Sequence, residues 1–195
     1  MEIVGIHEWI QSRLGKPPKT GRKVGRDSAG VSGKSRGTRI HAELLRRIRK
    51  DAPPITGWHP WTERIYKYLK RNKFTLDPSP PPLVTDSELG FHTKVDLVIY
   101  TPEGRKVLVE LKTSTHEPRK KKLPLMKSPF RRWFANDTVE NRAILQVLMP
   151  VLALRELRNE AVFGLVIFVR PVSIQATILN NAFYTMGIRQ ALLHQ

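Results

Sequence analysis

Two segments put charged side chains where a strand would otherwise be apolar. In Lys94-Val95-Asp96-Leu97-Val98-Ile99-Tyr100 an acid sits among strand-forming residues, and fourteen positions after Asp96 the run Val107-Leu108-Val109-Glu110-Leu111-Lys112 brings a second acid and a lysine. Side chains alternate faces along a strand, so Glu110 and Lys112 point one way while Val109 and Leu111 point the other. A hairpin through Thr101-Pro102-Glu103-Gly104-Arg105 can set Asp96 beside them. Two carboxylates at a strand end make a hard oxygen site suited to Mg²⁺ or Mn²⁺, ions that keep waters and bind phosphate oxygens directly. A lysine ammonium alongside can orient or help deprotonate an attacking water and offset charge in a phosphorane-like transition state. The chemistry indicated is phosphodiester hydrolysis. Ordinary edge charges would give the same E-x-K pattern, but the apolar surroundings of Asp96 and the hairpin spacing favour a cutting centre.

The elements that must position these residues can be read from periodicity. Ile3 to Leu14 is a short apolar-periodic piece that can dock as a helix, and Gly15 to Gly37 mixes Gly, Ser, Pro, Lys and Arg with almost no apolar content. Residues 1–36 are therefore expected to form a flexible basic arm and residues 37–195 the working domain. Thr38 to Asp51 reads as an amphipathic helix with Ile40, Leu44, Leu45 and Ile48 on one face, closed by Pro53-Pro54; a second runs from about Pro60 to Asn72. Leu83 to Phe91, Lys94 to Tyr100 and Lys106 to Thr113 read as an antiparallel meander. A long helix from about Thr138 to Arg158 follows, capped by Asn136 or Asp137 and carrying Pro150, with Ile144, Leu145, Leu148, Leu152 and Leu157 as its apolar face. Two more strands, Ala161 to Arg170 and Val172 to Leu179, precede a short final helix. The order predicts an α/β domain with a mixed central sheet flanked by helices.

Composition narrows the partner. The chain has 34 Lys and Arg against 17 Asp and Glu, a net charge of +17, and this surplus suits a polyanion such as nucleic acid. With no cysteine, disulfides, thiolate zinc sites, iron–sulfur clusters and cysteine nucleophiles are excluded. Its longest apolar stretch, Ala161 to Val169, is far short of the ~20 residues that span a bilayer, so a soluble intracellular protein with no membrane partner is expected.

The run from Gly90 to Ser114 resembles the core hairpin of PD-(D/E)XK nucleases, whose fold is that of restriction endonucleases, with Asp96 as the motif aspartate and Glu110-Leu111-Lys112 as the E-x-K. Val95 stands where the motif has proline. Gly37-Thr38-Arg39-Ile40-His41 resembles the G-x-x-x-H helix of the RecB-like and Cas4-like exonuclease branch, which also includes the mitochondrial genome maintenance exonuclease. This implies that His41 is a metal ligand alongside Asp96 and Glu110, favouring Mn²⁺ somewhat over Mg²⁺. Gln146-Val147-Leu148-Met149-Pro150 resembles the branch's Q-x-x-x-Y helix, with Pro150 in the tyrosine's place, and implies that Gln146 steers Lys112 or the substrate. The resemblance covers about residues 36–155. It implies an exonuclease or end-processing enzyme acting on single-stranded DNA or free ends, in a replication, repair or recombination setting.

Basic residues beyond the hairpin complete the expectation. Arg119, Lys120, Lys121 and Lys122, then Arg131 and Arg132 among Phe130, Trp133 and Phe134, mix cations with aromatics as single-strand channels do. Arg142, one helical turn before Gln146, is expected to reach a phosphate. Glu43, Glu63 and Glu88 match no motif and are assigned no role. Two rival readings stand beside this one: an endonuclease on the same fold, cutting DNA junctions or RNA, and a non-catalytic nucleic-acid-binding protein.

Overall fold

The computed structural model describes residues 2–17, 33–48, 57–114, 124–171, 173–179, 181–185 and 187–194. Strand β1 (Val4–Gly5) and helix α1 (Ile6–Leu14) lead into α2 (Gly33–Ile48) and α3 (Pro60–Arg71). Then come β2 (Thr75–Leu76), β3 (Leu83–Asp86), β4 (Phe91–Lys94), β5 (Leu97–Tyr100) and β6 (Lys106–Thr113). A 3₁₀ turn, Phe130–Arg132, precedes α4 (Val139–Arg158), β7 (Val162–Val169), β8 (Ile174–Ile178), α5 (Asn181–Thr185) and α6 (Ile188–Leu193). The architecture is mixed α/β. A five-stranded sheet runs β2-β5-β6-β7-β8, parallel only between β6 and β7, and a three-stranded sheet runs β1-β4-β3.

The expected single meander is divided between the two sheets. Ser87 to Gly90 form a turn, with the Leu89 N–H on Asp86 Oδ1 at 3.1 Å and Gly90 at φ +73°, so Leu83 to Phe91 is a hairpin, β3 to β4, rather than one strand. The chain then crosses from β4 into β5 of the larger sheet over Val95 and Asp96. Alternation explains the layers. Val107, Val109 and Leu111 of β6, with Leu165, Ile167 and Val169 of β7, pack under Ile40 and Leu44 of α2 and Trp61, Ile65 and Leu69 of α3. The opposite face, Val98, Leu108, Val166 and Phe168, packs on α4.

Helix α4 is enclosed on every side, its residues from Arg142 to Leu154 all buried, because the small sheet and α1 cover what the large sheet leaves. Leu157, expected on its apolar face, lies beyond this stretch and is exposed. Its cap is Thr138, whose hydroxyl accepts the Asn141 N–H at 3.0 Å, and not Asn136 or Asp137. The N-terminal boundary also differs from the expectation. Helix α1 docks as anticipated, but its Trp9, Ile10 and Leu14 belong to the main core, and α2 already begins at Gly33. The Pro53-Pro54 stop falls outside the described residues.

Arg189 of α6 is 2% exposed and ties the C-terminus to the small sheet. Its guanidinium donates to both Asp86 oxygens, at 2.6 and 3.1 Å, to Glu88, and to Glu156 at 3.3 Å. Replacing it with Met strands the fully buried Asp86 charge. Arg189→Met is expected to cost about 3–5 kcal/mol in urea unfolding, and the double change with Asp86→Leu to recover most of that loss.

Candidate functional site

Register, more than strand continuity, puts the two acids together. In the β5–β6 hairpin the ladder ends with Leu97 opposite Val109, and Asp96 is a bend just beyond it, bonded to Val109 and Leu111 on either side of Glu110 and close enough for Glu110 to feel its charge. The turn that fixes this register has Gly104 at φ +77°, with the Gly104 N–H on Thr101 O and the Thr101 N–H on Arg105 O, both at 2.9 Å. Asp96 lies at the crossover between the sheets. Its N–H donates to Val109 O at 3.2 Å and its Oδ2 accepts the Leu111 N–H at 2.7 Å, which locks the carboxylate at the rim.

Glu110 and Lys112 lie on the α4 side of the sheet, with the lysine Nζ 2.5 Å from Glu110 Oε1. Helix α2 brings His41 to the same place, its Nδ1 3.5 Å from Asp96 Oδ1. Burial raises the Asp96 pKa to about 6, against the pull of the Leu111 N–H and the Lys112 charge. Burial raises Glu110 as well; Lys112 opposes this and Asp96 reinforces it. Burial lowers the His41 pKa, with Glu110 opposing, so its ring is held toward the neutral, ligating form.

These side chains suit a hard divalent cation in their chemistry. Two largely buried carboxylates that feel each other's charge, with one ammonium on Glu110 and an imidazole near Asp96, are short of positive charge. Among the described residues no group of three or more His, Asp or Glu side chains is placed so that it could hold a metal ion. Glu110 is turned to Lys112, and Asp96 to the Leu111 N–H.

Gln146 does not reach Lys112 with a hydrogen bond. Its Nε2 lies 2.8 Å from His7 Nδ1, while Oε1 is buried with no hydrogen-bond partner among the described residues. His7 is thus a site-side residue that the sequence reading missed. It lies in the stretch assigned to a detached arm, and nothing in its local pattern marks it.

Arg142 requires a correction. It is buried, pairs with both oxygens of Asp137 at 2.7 Å and donates to Gly15 O and Lys16 O at 2.9 and 3.3 Å. Four of its five N–H groups are thus engaged in tying the residues after α1 to the start of α4, so the side chain serves as a buried structural link rather than as an open phosphate contact. Arg131 and Arg132 are exposed, as expected, but Phe130 and Phe134 between and beside them face the core. Arg119, Lys120, Lys121 and Lys122 lie outside the described residues. The three acids given no role are structural. Glu43 accepts from Arg39, the His59 N–H and Thr62 at 2.6, 2.9 and 2.5 Å; Glu63 pairs with Arg47 and Lys67; Glu88 pairs with Arg189.

No family model matches the chain, and no curated protein matches it. Among solved structures it is similar to the crystal structure of SSO0001, with 17% identity and a TM-score of 0.27, over 68% of this chain and 57% of that one. A likeness this slight identifies neither fold nor function. No helix among the described residues is long and apolar enough to cross a membrane.

Proposed function

We propose that this chain is a Mg²⁺- or Mn²⁺-dependent nuclease of the PD-(D/E)XK kind that hydrolyses DNA phosphodiester bonds, as an exonuclease or end-processing enzyme in replication, repair or recombination. The observation that carries the reading is the juxtaposition of Asp96, held on the Val109 and Leu111 backbone beside Glu110, with Lys112 on Glu110 and His41 on Asp96. In this reading Asp96, Glu110 and His41 hold the ion. When bound, it polarises the phosphate and makes water nucleophilic near neutral pH. Lys112, which pairs with Glu110 in the structure, would donate to a phosphate oxygen as negative charge builds there. Water adds to phosphorus and gives up a proton to solvent, the bond to the leaving sugar oxygen breaks, and that oxygen takes up a proton from solvent. The +17 net charge draws the polyanion in.

The test is digestion of end-labelled linear and circular DNA, single- and double-stranded, with Mg²⁺, Mn²⁺ or EDTA. Cutting that needs the ion supports the reading, and sparing of circles supports exonucleolytic action. Retained DNA binding with no cutting would move the case to RNA cleavage or to a binding protein.

The pH dependence follows from Asp96. With its pKa raised to about 6, the ligating carboxylate form prevails only above that value. Mn²⁺ affinity, read by titration calorimetry, is expected to hold from pH 7 to 8 and to fall about tenfold per unit as pH drops below 6. A carboxylate of ordinary pKa would keep full affinity to about pH 5.

A further inference from the structure

His7 is poised to do more than pack. It sits in the first turn of α1, and its ring is exposed, yet its Nδ1 is anchored by Gln146, a side chain only 7% exposed on the enclosed helix α4. Holding the amide there is costly, because Gln146 Oε1 has no partner among the described residues. A merely solvated histidine needs no such anchor. Burial lowers the ring's pKa, with Lys112 adding to this and Glu110 opposing it, so the ring stands within reach of both charges. With Nδ1 taken as the acceptor of the Gln146 N–H, the ring proton is confined to Nε2, which is then the ring's one N–H donor.

We propose that His7 is a substrate-contacting residue, donating from Nε2 to a non-bridging phosphate oxygen of the bound strand, and that Gln146 is the positioning residue that fixes its tautomer and angle. The inference rests on the nuclease reading above and extends the site to the N-terminal segment. A donor that contacts the phosphate before and during reaction acts mainly through binding.

The experiment compares wild type, His7→Ala, His7→Gln, Gln146→Leu and the His7→Ala/Gln146→Leu double variant on single-stranded DNA with Mn²⁺, reading KM and kcat separately. Thermal unfolding serves as a control. His7→Ala is expected to raise KM by about 10- to 100-fold with a smaller change in kcat, the size of a lost hydrogen bond to a charged group. His7→Gln, which keeps a donor, is expected to recover part of the loss. Gln146→Leu is expected to weaken binding alone and to add nothing in the His7→Ala background. If His7→Ala cuts within twofold of wild type, or if the two losses simply multiply, the proposal is overturned while the nuclease reading stands. If wild type itself does not cut, the nuclease reading fails first, and it takes the proposal with it.

Discussion

Glu110→Gln and Lys112→Ala are each expected to lower metal-dependent cleavage by at least about 10²- to 10³-fold while leaving DNA binding in EDTA nearly unchanged. On the proposed reading, the first removes an ion ligand at the strand end and the second the ammonium that meets the developing phosphate charge; one preorganised charge of this kind is worth that much in rate. The two side chains touch at 2.5 Å, so their effects will not add. The double variant is expected to fall little further than either alone. Single-turnover cleavage of labelled DNA measures this directly, and a Lys112→Ala enzyme that cuts at wild-type rate would remove the lysine from the chemistry.

Stability is expected to move the opposite way at the same site. Asp96 has a folded pKa of about 6 against an ordinary 3.8, so the folded chain holds that proton more tightly than the unfolded chain. Its stabilising contribution is therefore present at low pH and lost as pH rises from about 4 to 6. Above pH 6 the buried ionised carboxylate costs on the order of 3 kcal/mol, unless a bound cation offsets it. Asp96→Asn keeps an acceptor for the Leu111 N–H and removes the charge. At pH 8 without metal it is expected to melt several degrees above wild type, since 1 kcal/mol is worth about 2–4 °C at this chain length. Adding Mn²⁺ is expected to raise the wild-type melting temperature and not that of the variant.

The parts of this site legible in the sequence were those whose geometry is local. The alternation around Glu110 and Lys112 and a hairpin of fixed length are short-range facts, and the register of β5 with β6 agrees with them. His41 was legible only through a motif resemblance, yet it stands on Asp96. What could not be read was long-range. Nothing near Arg142 announces that Asp137 and two carbonyls of the N-terminal segment take its donors, or that Gln146 meets His7 across 139 residues. The division of the meander into two sheets has a local cause with a weak signature: Ser87-Glu88-Leu89-Gly90 is a turn closed by the side chain of the adjoining Asp86 and by Gly90 at φ +73°, rather than by Pro or Asn-Gly. The arm boundary at residue 36 came from composition. The polar stretch after Gly15 lowered the weight of the apolar residues before it, although Trp9, Ile10 and Leu14 follow helical spacing.

That boundary has a measurable consequence, because α1 belongs to the core. Trp9 is 1% exposed, meets Phe91 and Phe130 at ring distances of 5.4 and 6.1 Å, and donates its indole N–H to Leu89 O at 2.7 Å. Trp9→Ala is expected to destabilise the protein by about 3–5 kcal/mol through the cavity alone, with a further cost of about 1–3 kcal/mol for the abandoned Leu89 carbonyl. Trp9→Phe, which restores most of the ring packing but not the hydrogen bond, is expected to fall between wild type and Trp9→Ala. Leu157→Ala, at a side chain 46% exposed on the far end of α4, is expected to change stability by less than about 0.5 kcal/mol. Urea unfolding of the four proteins decides the matter. A Trp9→Ala protein as stable as Leu157→Ala would mean that the first fourteen residues are an appendage after all, and that His7 has no fixed place beside Gln146.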